Sequence, residues 1–269
     1  MGAAQPIFIG GHHRSGTSLM RVMLNRHPRI ACGPEGKLLK RTSFRELHGD
    51  LESRWLPRMA TKYGIGAAEL DHAMAAFIDN FFTRYQLRQG KQRWAEKTPG
   101  NIFHIDYLFR LFPRAQFLHM LRDPRDVYCS VVEKMRADPE FESLTAEQTA
   151  DRWVAAIDCG RLWRGHSDRY LEVRYEDLVR EPASSMATVL QFLGEPWDAG
   201  VLDPTNDAQR ASASSNTHRP IFATSIGRWR RELASTDLQQ IVAIAGADMA
   251  DLGYTPAAAS SLEPAHAVL

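Results

Sequence analysis

Cysteine is scarce. Cys32, Cys129 and Cys159 are the only three in the chain, and they form neither a CxxC pair nor any metal-ligand spacing. This excludes a disulfide framework and a thiolate metal site, leaving ordinary thiols of a reducing compartment. Net charge is scarce too: 33 Lys and Arg stand against 32 Asp and Glu, for +1 overall. No global attraction to a polyanion follows, so nucleic acid is not an expected partner and any anion site must be local. No apolar run approaches the ~20 residues that span a bilayer. The opening MGAAQPIFIGG lacks the basic and long apolar regions of a signal peptide. Pro6 stands where a myristoylation signal needs Ser or Thr. The expectation is a cytoplasmic protein with no membrane span.

What is present is a globular composition, 44% hydrophobic and 24% charged over 269 residues, long enough to bury a sizeable core. PIFIGG is a short apolar run ending in glycines, which predicts a buried strand. Leu19, Met20, Met23 and Leu24 then recur at helical spacing until Pro28. Helical periodicity returns over 68–89 and 101–112. RWAEKTPGN and AQFLHMLRDP predict strands, the second feeding a helix over 125–135. A helix over 145–166, a strand in RYLEVRYEDL and helices over 183–193 and 236–252 complete the pattern. Strands alternating with helices predict an α/β, P-loop-like fold with a central, mostly parallel sheet flanked by helices. Neither a repeat nor a linker is visible, so 1–255 reads as one domain. The polar 203–220 segment reads as a mobile loop, and 256–269 as a disordered tail.

The most specific absence is one lysine. From Gly11 the chain reads Gly, four residues, Gly16, Thr17, Ser18, whereas a nucleotide-hydrolase P-loop places lysine directly after its second glycine. A strand–turn–helix junction still aims backbone N–H groups and the positive helix end at an anion. Ser15, Thr17 and Ser18 add hydroxyls, and Arg14 adds a planar fork suited to phosphate or sulfate oxygens. The loop alone is equally compatible with a structural turn. The strand in FLHMLRDPRD ends on Arg122 before Asp123, a poor setting for the Mg²⁺ of a kinase and a good one for a phosphate, with the Ser130 hydroxyl expected on the same side a helical turn or so further on. Two metal-free phosphate sites suit a nucleotide phosphorylated on both its 5′ and 3′ positions.

On these residues the chain resembles the PAPS-dependent sulfotransferases, which use 3′-phosphoadenosine-5′-phosphosulfate (PAPS). The stretch FIGGHHRSGTSLMRVMLNRHPRIACGPEGKLLKR is most similar to the protein-tyrosine sulfotransferase branch, and EKTP, LRDPRDVYCSVV, VRYEDLVREP and SIGRWRREL follow in family order. The resemblance implies that Arg14, Ser15, Gly16, Thr17 and Ser18 hold the 5′-phosphosulfate, and that Arg122 and Ser130 hold the 3′-phosphate. It makes Glu35 the base, Lys97 the leaving-group lysine, Tyr175 a nucleotide contact, and Ser225, Arg228, Arg230 and Arg231 a late nucleotide clamp. Ser225 stands in for the branch's catalytic serine, whose own place is Gly227. Ala95 stands where the branch has a cysteine that pairs with the match of Cys32, and Pro99 where the small-molecule branch has its histidine base.

The implied reaction is metal-independent, in-line transfer of a sulfuryl group to an acceptor hydroxyl, releasing 3′-phosphoadenosine 5′-phosphate (PAP). The acceptor is a phenol, sugar, lipid alcohol or peptide tyrosine, and 42–68 and 203–223 are the segments expected to shape its pocket. Lys37 and Arg41 are candidates for meeting an acidic acceptor. Two other functions fit parts of the pattern: an atypical P-loop kinase, and a non-catalytic PAP or PAPS module. Arg125 is expected to pair structurally, His12 and His13 to shape the loop, and His104 and His119 to be structural. The six tryptophans read as core or pocket wall. Oligomeric state carries no sequence signal, and a homodimer is compatible with it.

Overall fold

The computed structural model describes residues 5–39, 44–166, 168–203 and 224–255. Arg41, the expected loop from 204 and the expected tail lie outside these residues. Strands β1 (Ile7–Gly10), β2 (Ile30–Cys32), β3 (Arg93–Lys97), β4 (Gln116–Leu121) and β5 (Tyr170–Arg174) form one sheet in the order β2-β3-β1-β4-β5. Every pairing is parallel, so the expected mostly parallel sheet is parallel throughout its described strands. β1 lies at its centre, which brings the loop after β1 between the C-terminal ends of β3 and β4.

Side chains alternate across the sheet as the strand period requires. Phe8, Trp94 and Phe117 enter a core with helices α4 (Ala67–Arg88) and α5 (Ile105–Leu111). Their neighbours Ile7, Ile9, Ala95 and Leu118 face the opposite side, against α1 (Thr17–Arg26) and α9 (Pro182–Leu193). Trp94 is fixed on three counts: it stacks on Phe82 at 4.8 Å, meets Phe8 edge-on at 5.6 Å, and donates its indole N–H to Asp79 at 2.7 Å. A third core joins α6 (Pro124–Ala137), α7 (Ala146–Arg161) and α11 (Ser235–Asp251) around Trp153. Full burial of each such side chain contributes about 1.5–3 kcal/mol.

Several elements depart from the sequence expectation. β2 is only three residues long, too short to show a period, and pairing with β3 defines it. The strand in RYLEVRYEDL stops at Arg174, and Tyr175–Arg180 is helix α8. Glu176 and Asp177 sit in that helix's first turn, where its dipole favours acidic residues. The helix expected over 101–112 divides into a 3-10 stretch, Pro99–His104, and α5. Helices α2 (Phe44–Asp50) and α3 (Leu56–Tyr63) fold a stretch with no clear sequence signal. A short α10 (Trp229–Glu232) precedes α11. No described helix is long and apolar enough to cross a membrane.

Candidate active site

The loop from Gly11 to Gly16 joins β1 to α1 at the C-terminal edge of the sheet. Three of its residues have a positive φ, Gly11 at 138°, Arg14 at 69° and Gly16 at 92°. For Gly16 this is cheap, and no side chain would fit: a Cβ there would lie 2.4 Å from Cδ2 of Tyr175. Arg14 carries a side chain through the same region at a cost of about 1–2 kcal/mol. The surroundings hold it there. Arg122 donates from one terminal nitrogen to the Arg14 carbonyl at 2.9 Å, and Arg14 Nε donates to Ser130 Oγ at 3.0 Å. Burial, with Arg122 close by, pushes the Arg14 guanidinium below its ordinary range.

The two groups assigned from sequence to separate phosphates therefore share a border. Arg122 also donates to the Ser225 carbonyl at 3.0 Å and lies over the Tyr175 ring, 4.4 Å from its centroid. Tyr175 and Ser225 are joined hydroxyl to hydroxyl at 2.7 Å. Ser225 thus sits against the Arg122 and Tyr175 side. Lys97 reaches Ser18 and Glu35: its ammonium donates to Ser18 Oγ at 3.2 Å and to Glu35 Oε1 at 2.6 Å. The Lys97 side chain is 4% exposed and that of Glu35 is 32%, so the pair points from the sheet edge toward solvent. Lys37 reaches Glu35 only at 3.9 Å.

The other predicted residues have these neighbours. Arg228 is engaged by Glu133 and Glu232, both at 2.7 Å, and Arg230 lies over Trp229 at 4.4 Å. Arg125 grips Asp123 with two nitrogens, at 2.9 and 2.7 Å, while its guanidinium lies 3.9 Å from the Trp229 ring centroid. His119 is fully buried on Tyr170, and burial lowers its pKa to about 3. His104 meets Arg45 at 3.3 Å. His12 bonds the His13 carbonyl at 2.7 Å within the loop, and burial lowers its pKa well below the usual histidine range. Three tryptophans, Trp94, Trp153 and Trp229, are core; Trp55 and Trp197 are exposed.

Some supports were not singled out from the sequence. Asp126 accepts the Gly227 amide at 2.6 Å and the Trp229 amide at 3.0 Å, fastening the late segment to α6. Trp153 donates to the Arg122 carbonyl at 2.9 Å. The one sequence signal for Asp126 is its place as the second aspartate of RDPRD.

The cluster fits an anionic, doubly phosphorylated donor. Ser15 Oγ and Arg122 Nε are buried with no hydrogen-bond partner among the described residues, polar atoms whose burial is costly unless something meets them. Around them stand a helix N-terminus, guanidinium groups and hydroxyls. Among the described residues no group of three His, Cys, Asp or Glu side chains is placed to hold a metal ion.

Comparison with known proteins gives the class. Residues 6–199 match the family model described as the sulfotransferase family, and the chain belongs to that family. It is 29% identical over 264 residues to protein-tyrosine sulfotransferase 1 of Danio rerio, covering 93% of this chain and 72% of that one. It is 30% identical over 261 residues to the Homo sapiens protein-tyrosine sulfotransferase 1, covering 93% and 70%. Among solved structures, the sulfotransferase domain of the Synechococcus PCC 7002 olefin synthase superposes with a TM-score of 0.63 at 25% identity, covering 91% of this chain and 96% of that one. The protein is a PAPS-dependent sulfotransferase of the tyrosine-sulfotransferase-like branch, acting on an acceptor hydroxyl, with PAP as its nucleotide product. The kinase and the non-catalytic module are thereby set aside.

Proposed function

We propose that Glu35 and Lys97 form the catalytic centre of a metal-independent, in-line sulfuryl transfer. The observation that carries this reading is the single ammonium of Lys97 touching both Glu35 and Ser18, the last hydroxyl of the phosphate loop. One group thereby links the candidate base to the donor site. PAPS, when bound, supplies the sulfuryl group, with the bridging phosphate oxygen as leaving atom. Glu35 takes the acceptor's hydroxyl proton as the acceptor oxygen bonds to sulfur, on the side opposite the bridging oxygen. Lys97 offsets the negative charge that grows on the leaving oxygen as the sulfur–oxygen bond breaks, and loss of one such donor typically costs ~3 kcal/mol. Arg14 and Ser15–Ser18 grip the 5′ end, while Arg122 and Ser130 grip the 3′-phosphate. These fixed cations and N–H groups take the part that a metal plays in phosphoryl transfer.

The relatives' names make a peptide tyrosine the first acceptor to test, followed by phenols, sugars and lipid alcohols. The donor test is calorimetric titration with PAP, against ADP with Mg²⁺, together with turnover in excess EDTA. Tight PAP binding, feeble ADP binding and turnover unaffected by EDTA are expected. Tight Mg²⁺–ADP binding, or loss of activity in EDTA, would overturn the metal-independent reading.

A further inference from the structure

The turn that carries Glu35 straddles the C-terminal end of β3. Adjacent residues of a strand point to opposite faces, so Glu96 and Lys97 leave β3 on opposite sides. On one side Lys97 holds the Glu35 carboxylate at 2.6 Å. On the other, Glu96 Oε1 accepts the backbone N–H of Gly36, the next residue, at 2.9 Å. Thr98 extends the hold by one residue: its hydroxyl accepts the Lys37 N–H at 3.2 Å and donates to Glu96 Oε1 at 2.6 Å. Asn101 Nδ2 donates to the remaining oxygen, Glu96 Oε2, at 2.6 Å.

A carboxylate 3% exposed at the end of a central strand is a costly choice, tolerable only if donors surround it. Burial pushes the Glu96 carboxyl above its usual range, and the donors from Asn101, Thr98 and Gly36 work against that. Two of those three hydrogen bonds reach the turn, one directly from Gly36 and one through Thr98. That turn needs holding, because Lys37 has a left-handed backbone at φ 51°, which an ordinary side chain avoids by about 1–2 kcal/mol. The approach is close: a Cβ on Gly36 would lie 3.2 Å from Glu96 Oε1 and 3.0 Å from Phe82.

We propose that Glu96 is a positioning residue for sulfuryl transfer, clamping the backbone at Gly36 directly and at Lys37 through Thr98 so that Glu35 is fixed beside Lys97. The inference rests on Glu35 being the base. It assigns Glu96 no contact with donor or acceptor, so its loss should act on turnover and not on donor binding. Misplacing a reacting group by ~1 Å can cost on the order of 100-fold in rate.

The test is a mutant cycle with donor affinity measured in parallel. Glu96→Gln places an amide N–H against donors, and Thr98→Val removes the relay and one donor to Glu96 while keeping the carboxylate; Thr98→Ser keeps the relay. Glu96→Gln and Thr98→Val should each lower kcat ~10- to 100-fold with PAP affinity and donor KM unchanged. Thr98→Ser should retain wild-type kcat, and neither lesion should add to the loss already caused by Glu35→Gln. Unchanged kcat in folded Glu96→Gln and Thr98→Val, or losses that multiply on the Glu35→Gln background, would overturn the positioning role. If Glu35→Gln alone leaves kcat unchanged, the base assignment falls and takes the positioning role with it. If Glu96→Gln does not fold, Thr98→Val and its Ser counterpart decide the question.

Discussion

The ammonium of Lys97 and the carboxylate of Glu35 lie 2.6 Å apart, although 62 residues separate them in the chain. The contact joins the C-terminal end of β3 to the turn after β2. With Ser18 also in reach of Lys97, the start of α1 is drawn into the same point. On the proposed assignment of Glu35 as base, a bound acceptor must compete with Lys97 for the carboxylate.

Glu35→Gln keeps an oxygen for Lys97 and removes the ability to accept a proton. Turnover should fall by ~100-fold or more, the scale of general-base catalysis, while PAP affinity is retained. Steady-state kinetics beside calorimetry checks this, and unchanged turnover would remove Glu35 as base.

Arg122→Ala should weaken PAP by ~10- to 100-fold, as loss of charge-assisted hydrogen bonds to the 3′-phosphate would. Binding of adenosine 5′-phosphosulfate, which lacks that phosphate, should fall less. It should still fall somewhat, because Arg122 also ties down the carbonyls of Arg14 and Ser225. Equal losses for both ligands would reduce Arg122 to a loop tie.

Gly16→Ala meets two penalties at once, a left-handed backbone at φ 92° and a Cβ only 2.4 Å from Tyr175. Strain and overpacking together should cost about 2–4 kcal/mol of stability and displace Tyr175 from Arg122. Chemical denaturation and PAP titration measure the two effects. A variant as stable as wild type, with normal PAP affinity, would contradict the described loop.

His119 gives a pH signature. Its folded pKa of about 3 lies below the ordinary histidine value of 6.5, so in the window between them the unfolded state binds the extra proton. Its contribution is therefore intact above about pH 6.5 and declines as pH falls, by up to ~1.4 kcal/mol per pH unit. His12 is shifted in the same direction, whereas Glu96, Asp126 and Glu176, raised by burial, act oppositely. The difference between wild type and His119→Gln isolates the one residue. Wild type should lose stability faster than the variant from pH 6.5 to 4, and parallel curves would refute the assignment.

What the order of residues made legible is local. The strand–glycine–helix junction at 7–26 was legible because apolar residues, Gly16 and Pro28 act over one or two turns of chain. The parallel sheet followed from strands alternating with helices, and the ordered motifs placed Glu35, Lys97 and Arg122 on their segments. Tertiary structure decided the rest, because it depends on contacts between distant residues. The three-residue β2 exists only through its pairing with β3. Arg14 meets Ser130 across 116 positions. The fold brings Glu133 to the Arg228 guanidinium from 95 residues away. Glu96 read as an unremarked letter in EKTP until burial made its oxygens too costly to leave unpaired, and the donors that meet them came from the turn beside Glu35. Local propensity and motif order name the parts; desolvation and the pairing of buried polar groups, which act only once the chain is compact, fix which parts touch.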